Sequence, residues 1–145
     1  MKPALHPIPL PEAGPGAGAE RLAEDLAHVR AAGAALVVSL MERHEAAELG
    51  LAEQPAACAA ADLAFLSHPI RDYGLPAPVP FAALVDALVT RLRAGEGVAV
   101  HCRAGIGRTG MLTVALVAAV TGDVEDALTR VSAARRAAVP DTEAQ

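Results

Sequence analysis

At 145 residues the chain has the length of one ordinary domain, enough to bury a real core. Hydrophobic residues make up 53% of it but aromatics only 2%, so alanine, leucine and valine must carry the packing and the helices must lie close together. The net charge of −5, with no basic run, argues against a nucleic-acid partner and against an anionic membrane surface.

Residues 1–18 hold five prolines and three glycines and read as an extended lead-in, with one edge strand near Leu5 to Leu10. A helix is predicted from Ala19 to Ala32, with Leu22, Leu26 and Val29 on one face and Gly33 at its end. The continuous apolar run Ala34 to Leu40 predicts a strand covered on both faces. Glu42, Arg43, His44, Glu45 and Glu48 follow on a short helix ending at Gly50. They stand where ligands bind at the carboxyl end of a strand, but the pattern is that of a solvated charged face. Pro55 opens a further helical turn containing Cys58, a residue that suits small core filler or a redox partner for a second thiol.

Leu63 to Ile70 reads as the next strand, and Arg71-Asp72-Tyr73-Gly74-Leu75-Pro76 as a loop. The helix from Val79 to Arg93 turns Leu84, Val85, Leu88 and Leu92 inward. Val98 to Val100 is a short buried strand that leads through His101 and Cys102 into a glycine-containing loop and a long apolar helix. Gly122-Asp123 starts a last amphipathic helix, with Val124, Leu128 and Val131 as its apolar face. Strands alternating with helices predict a three-layer α/β domain with a mostly parallel sheet of four or five strands. The two cysteines and the lack of a secretory signal suit a reducing cytoplasm, and the longest uncharged apolar run, Met111 to Val120, is too short to cross a bilayer.

The chemistry gathers after the last strand. Arg103, Ala104, Gly105, Ile106 and Gly107 all carry a backbone N–H, and the two glycines let those donors curl towards one centre. The helix opening near Arg108 adds its positive end, and Arg108 can fork two more donors onto an anion. The result is an oxyanion nest with Cys102 as a built-in nucleophile, its thiolate favoured by the same groups. Thr109 can hydrogen-bond the sulfur, and His101 can orient the cysteine from behind through its ring or backbone. No second His or Cys accompanies His101 at ligand spacing, so no metal or other cofactor is expected. Among the acids Asp72 is the best placed to protonate a leaving group, because its loop follows the carboxyl end of a strand.

His101-Cys102-Arg103-Ala104-Gly105-Ile106-Gly107-Arg108-Thr109-Gly110 carries the Cys-x5-Arg-Thr spacing, and the chain resembles the cysteine-dependent dual-specificity and tyrosine phosphatases. Within them it is most similar to the branch around the kinase-associated phosphatase and its bacterial relatives. The resemblance implies one phosphatase domain over residues 1–145 and a cysteinyl-phosphate intermediate. It also implies Asp72, in His68-Pro69-Ile70-Arg71-Asp72-Tyr73-Gly74, as general acid, and Thr109 as a stabiliser of the departing thiolate. Gln145 would position the hydrolytic water. Phosphorylated proteins are the implied substrates: phosphotyrosine, with phosphoserine and phosphothreonine admitted by a shallow site. Phosphoinositide phosphatases of this kind carry lysines in the loop, where this chain has none. A phosphate-binding module without turnover and a rhodanese-like sulfurtransferase are the rival readings, and the latter needs no acid loop about thirty residues upstream of its cysteine.

Overall fold

The computed structural model describes residues 5–7, 18–103 and 107–135. Its strands are β1 (Leu5–Pro7), β2 (Ala34–Ser39), β3 (Ala64–Ser67) and β4 (Gly97–His101). The helices are α1 (Gly18–Ala31), α2 (Arg43–Glu48), α3 (Gln54–Ala60), α4 (Pro78–Arg93), α5 (Gly107–Thr121) and α6 (Val124–Arg135). The order in the sheet is β1-β4-β2-β3 and every pair is parallel. Its body is the three strands β2, β3 and β4, with the three-residue β1 along the free side of β4.

Apolar runs without alternation are what a sheet covered on both faces requires, and β2 and β4 meet that condition. Leu36, Val38, Val98 and Val100 point to one side, where Leu84 and Leu88 of α4 and Met111, Leu112 and Leu116 of α5 close the layer. Ala34, Val37 and Ala99 point to the other, against Leu22, Leu26 and Val29 of α1 and Cys58 of α3. Cys58 is completely buried, and burial pushes its thiol up to about 11. It is core filler, and it lies in the layer opposite the one that contains Cys102.

The parallel strands bring their carboxyl ends to one edge, and main-chain bonds continue past the strands to hold that edge together. Leu40 N–H donates to the His101 carbonyl at 2.9 Å, His68 N–H to that of Ser39 at 2.8 Å, and Ile70 N–H to that of Leu40 at 2.9 Å. The predicted strand Leu63 to Ile70 is trimmed at both ends for physical reasons. Leu63 is held in a turn by a bond from its N–H to the Cys58 carbonyl after Asp62, whose φ is 60°. Pro69, which has no donor, interrupts the far side. The last helix shows one further difference. Ala127 and Val131 pack on Val114, but Val124, expected inward, is exposed because it is the first residue of α6.

Gly97 is needed where β4 begins beside the turn that precedes β2. A Cβ there would collide with the Gly33 carbonyl oxygen, and it would lie 2.9 Å from that carbonyl carbon and 3.0 Å from Ala34 Cα. Those are main-chain atoms and cannot rotate away. Gly97→Ala should therefore cost about 1–3 kcal/mol of stability, the range of an overpacked site, read as a lower urea midpoint. An unchanged midpoint would show that the two backbones can separate freely.

Candidate active site

At the carboxyl edge of the sheet β4 delivers His101 and Cys102, both buried, and α5 begins at Gly107 with Arg108 and Thr109 buried in its first turn. The helix enters the core at once because GMLTVAL is apolar on nearly every side; nine of its residues from Gly107 to Leu116 are buried. Its N-terminal end therefore faces the end of β4, where peptide dipoles favour an anion.

Arg108 organises the surroundings. Its Nη1 donates to Glu45 Oε2 at 2.6 Å and its Nη2 to Glu45 Oε1 at 2.8 Å, a two-pronged ion pair with side chains 1% and 3% exposed. Nη1 also donates to the Ile70 carbonyl at 2.9 Å, and Nη2 lies 3.3 Å from Asp72 Oδ1. Glu45 Oε2 accepts the Glu42 N–H as well, at 2.8 Å, so the carboxylate is fixed from its own helix. Burial opposes the charge on both partners. The pairing wins: burial pushes the Glu45 carboxyl up, but Arg108 and the Glu42 N–H bring it below its ordinary value. Burial likewise pulls the Arg108 guanidinium down, while Glu45 first, then Cys102 and Asp72, hold it above its ordinary value.

Three buried side-chain polar atoms among the described residues have no hydrogen-bond partner: His101 Nδ1, Arg108 Nε and Thr109 Oγ1. All three fall within nine residues at the junction of β4 and α5. Buried polar groups in folded proteins are normally satisfied, so a cluster of such atoms marks a place built for something else.

His101 is fully buried, and its Nε2 lies 2.7 Å from Nε2 of Gln54, itself only 3% exposed at the start of α3. Burial, reinforced by the Arg108 charge, pushes the imidazole down to about 4. It is a neutral ring at physiological pH. Asp72 is half-exposed on its loop and its Oδ1 accepts the Tyr73 N–H at 3.1 Å, with Tyr73 at a φ of 55°.

A family model described as "Polymorphic toxin system, DSP-PTPase phosphatase" matches residues 14–122, about three-quarters of the sequence. The chain belongs to this family. It is a phosphatase domain of the dual-specificity and tyrosine class. Among solved structures, that of the kinase-associated phosphatase with serine for its catalytic cysteine superposes with a TM-score of 0.77 at 18% identity, covering 83% of this chain and 68% of that one. Tk-PTP in a mutant form gives 0.73 at 26% identity, over 94% of this chain and 80% of that one. Pseudomonas aeruginosa TpbA in complex with pTyr gives 0.59 at 23%, over 91% and 69%. No curated protein matches the sequence.

Of the residues singled out in the phosphatase sequence, Cys102, Arg108, Asp72, Thr109, His101 and Gly107 meet at this edge. Arg103 does too, but its side chain turns outward to pair with Glu48 at 3.2 Å. Ala104, Gly105, Ile106 and Gln145 lie outside the described residues. The expected solvated face after β2 is corrected: Glu45 turns inward to Arg108, while Glu42, Arg43, His44 and Glu48 remain at or near the surface. A Glu three residues after Glu42, at the start of a helix beyond the carboxyl end of a strand, was the available signal. Gln54 had none, because only the fold brings it to His101. Among the described residues no three His, Cys, Asp or Glu side chains gather as a metal site would need, and no helix is long and apolar enough to cross a membrane.

Both the carboxylate and the imidazole make the domain acid-sensitive. Glu45 titrates lower in the native state than unfolded, so its stabilisation is present above about pH 4.5 and is lost as pH falls through its native value. His101 titrates near 4 in the native state against 6.5 unfolded, so between those values the unfolded chain holds more protons and stability falls with pH. Urea unfolding from pH 7 down to pH 4 should show a loss on the order of 3 kcal/mol from His101 alone. A flat profile through this window would contradict the buried neutral imidazole.

Proposed function

We propose that this domain hydrolyses phosphomonoesters on proteins, phosphotyrosine and with it phosphoserine or phosphothreonine, through a cysteinyl-phosphate at Cys102. The observation that carries the reading is the set of unpartnered buried atoms at the β4–α5 junction, with Arg108 Nε among them. Nη1 of Arg108 is committed to Glu45 and Ile70 and Nη2 gives one proton to Glu45, so Nε and the remaining Nη2 proton, beside Asp72, form the edge of the guanidinium that an incoming phosphate would meet. Together with the backbone N–H groups from Arg103 to Arg108 they would hold the three equatorial oxygens of the transferring group, where the charge spreads.

In the first step the Cys102 sulfur attacks phosphorus, the S–P bond forms as the P–O bond to the substrate breaks, and Asp72 gives its proton to the leaving oxygen. The 3.3 Å between Asp72 Oδ1 and Nη2 supports this role, since a phosphate held by that edge of Arg108 would lie near the carboxyl. Phosphate binding would displace that contact and free the acid for the leaving group. In the second step a water, positioned by Gln145, attacks phosphorus while Asp72 takes its proton. The S–P bond breaks, and the Thr109 hydroxyl, buried with no other partner, receives the thiolate. His101 orients the cysteine.

Arg103 bears on the substrate class. A polyphosphorylated head group would call for free cations at the rim, whereas Arg103 is paired with Glu48 and the chain is net acidic. The presence of pTyr in the TpbA complex supports the phosphoprotein reading. A sulfurtransferase would have no use for an acid at Asp72.

Cys102→Ser should abolish turnover of p-nitrophenyl phosphate while vanadate still binds. Asp72→Asn should lower kcat by about a hundredfold or more on an alkyl phosphate, but far less on p-nitrophenyl phosphate, whose leaving group needs little protonation. Full activity of the serine variant, or equal losses on the two substrates, would overturn the corresponding role.

A further inference from the structure

The contact between Gln54 and His101 joins two buried polar side chains 47 residues apart in sequence, one at the start of α3 and one at the end of β4. Its geometry restricts where protons can be. The amide Nε2 of Gln54 is a donor only, so at 2.7 Å the imidazole Nε2 must accept. A neutral imidazole that accepts at Nε2 carries its proton on Nδ1. That nitrogen is buried without a formed hydrogen bond, on the ring of the residue that directly precedes Cys102.

We infer that Gln54 is a positioning residue for the nucleophile: by donating to His101 Nε2 it fixes the orientation and the Nδ1–H tautomer of the ring that directly precedes Cys102. The inference rests on the reading of Cys102 as nucleophile. Two physical features favour this use of a buried amide. A Gln–His hydrogen bond in the sheet layer opposite Arg108 orders the ring without adding a charge next to the site, unlike a carboxylate, which would draw a second proton onto the imidazole. The Arg108 charge near the ring disfavours a second proton on it and does not compete for Nε2. The second-partner role of Gln54 is thus to choose which nitrogen of His101 is the donor.

The test uses the full chain labelled with 15N-histidine, with the ring nitrogens read by NMR, alongside kinetics on p-nitrophenyl phosphate and vanadate inhibition. In the wild type the His101 ring should show Nδ1 protonated and Nε2 bare. Gln54→Glu offers only an acceptor and should put a proton on Nε2, either as the other tautomer or as a second proton on the ring. Gln54→Met, which keeps the length of the side chain without a donor, should remove the tautomer preference. Each variant should lower kcat about ten- to a hundredfold, the scale for partners that orient a functional histidine, with vanadate inhibition within about twofold of wild type. A wild-type ring protonated at Nε2 would overturn the inference without any variant needing to fold. So would an unchanged tautomer in Gln54→Glu, or a reversed tautomer with unchanged kcat. Absence of turnover in the wild type would instead count against the phosphatase reading, and the ring spectrum would still decide whether Gln54 sets the tautomer.

Discussion

Everything at the site hangs on one buried ion pair, the fork between Arg108 and Glu45. Taking a guanidinium and a carboxylate out of water costs several kcal/mol per ion, which a loose pair does not recover. Here two short parallel hydrogen bonds, a third from Nη1 to the Ile70 carbonyl and a fourth from the Glu42 N–H to Glu45 satisfy nearly every lone pair and proton that burial exposes to loss. The directions of the two titrations agree that the charged forms prevail. What remains of the guanidinium is one edge, Nε and Nη2, presented at a fixed angle. A mobile arginine would lose rotamer freedom on every encounter with an anion; this one has already been ordered by folding.

The pair also ties together the three parts of the chain that must meet. Glu45 follows β2, Ile70 and Asp72 follow β3, and Cys102 and Arg108 flank the end of β4. Because these strands run parallel, their carboxyl ends share one edge, and Arg108 bonds across all of it. A shift of the loop after β3 would therefore be felt by Arg108 through the Ile70 carbonyl and Asp72. The opposite layer contributes through Gln54 and His101, so Cys102 stands between two buried polar contacts of different kinds, one charged and one neutral.

Much of this could be read from the residues. The motif from His101 to Gly110 carried the resemblance to the phosphatase family, which the family match over residues 14–122 bears out. The alternation of apolar runs with amphipathic stretches was enough for a parallel α/β arrangement, and the position of Asp72 after a strand was enough to expect it at the same edge as Arg108, where it lies. Glu45 was misread because it sits among Glu42, Arg43, His44 and Glu48, and local charge density looks the same whether one member is turned inward or not. Its fate depends on a partner 63 residues away. Gln54 was invisible for the same reason. Strand ends failed where main-chain bonding decided them, at the turn before Leu63 and at Pro69, neither of which hydrophobic patterning records.

The most direct test of the central claim is vanadate affinity in Glu45→Gln, with circular dichroism confirming the fold, compared with Arg108→Lys and with the double variant. If Glu45 holds Arg108 in its binding pose, the single glutamine change weakens vanadate about tenfold or more, the scale of one charge-assisted hydrogen bond, and adds little once Arg108 is lysine. A folded Glu45→Gln protein that binds vanadate as tightly as the wild type would contradict the account, because the anion site would then stand without the fork.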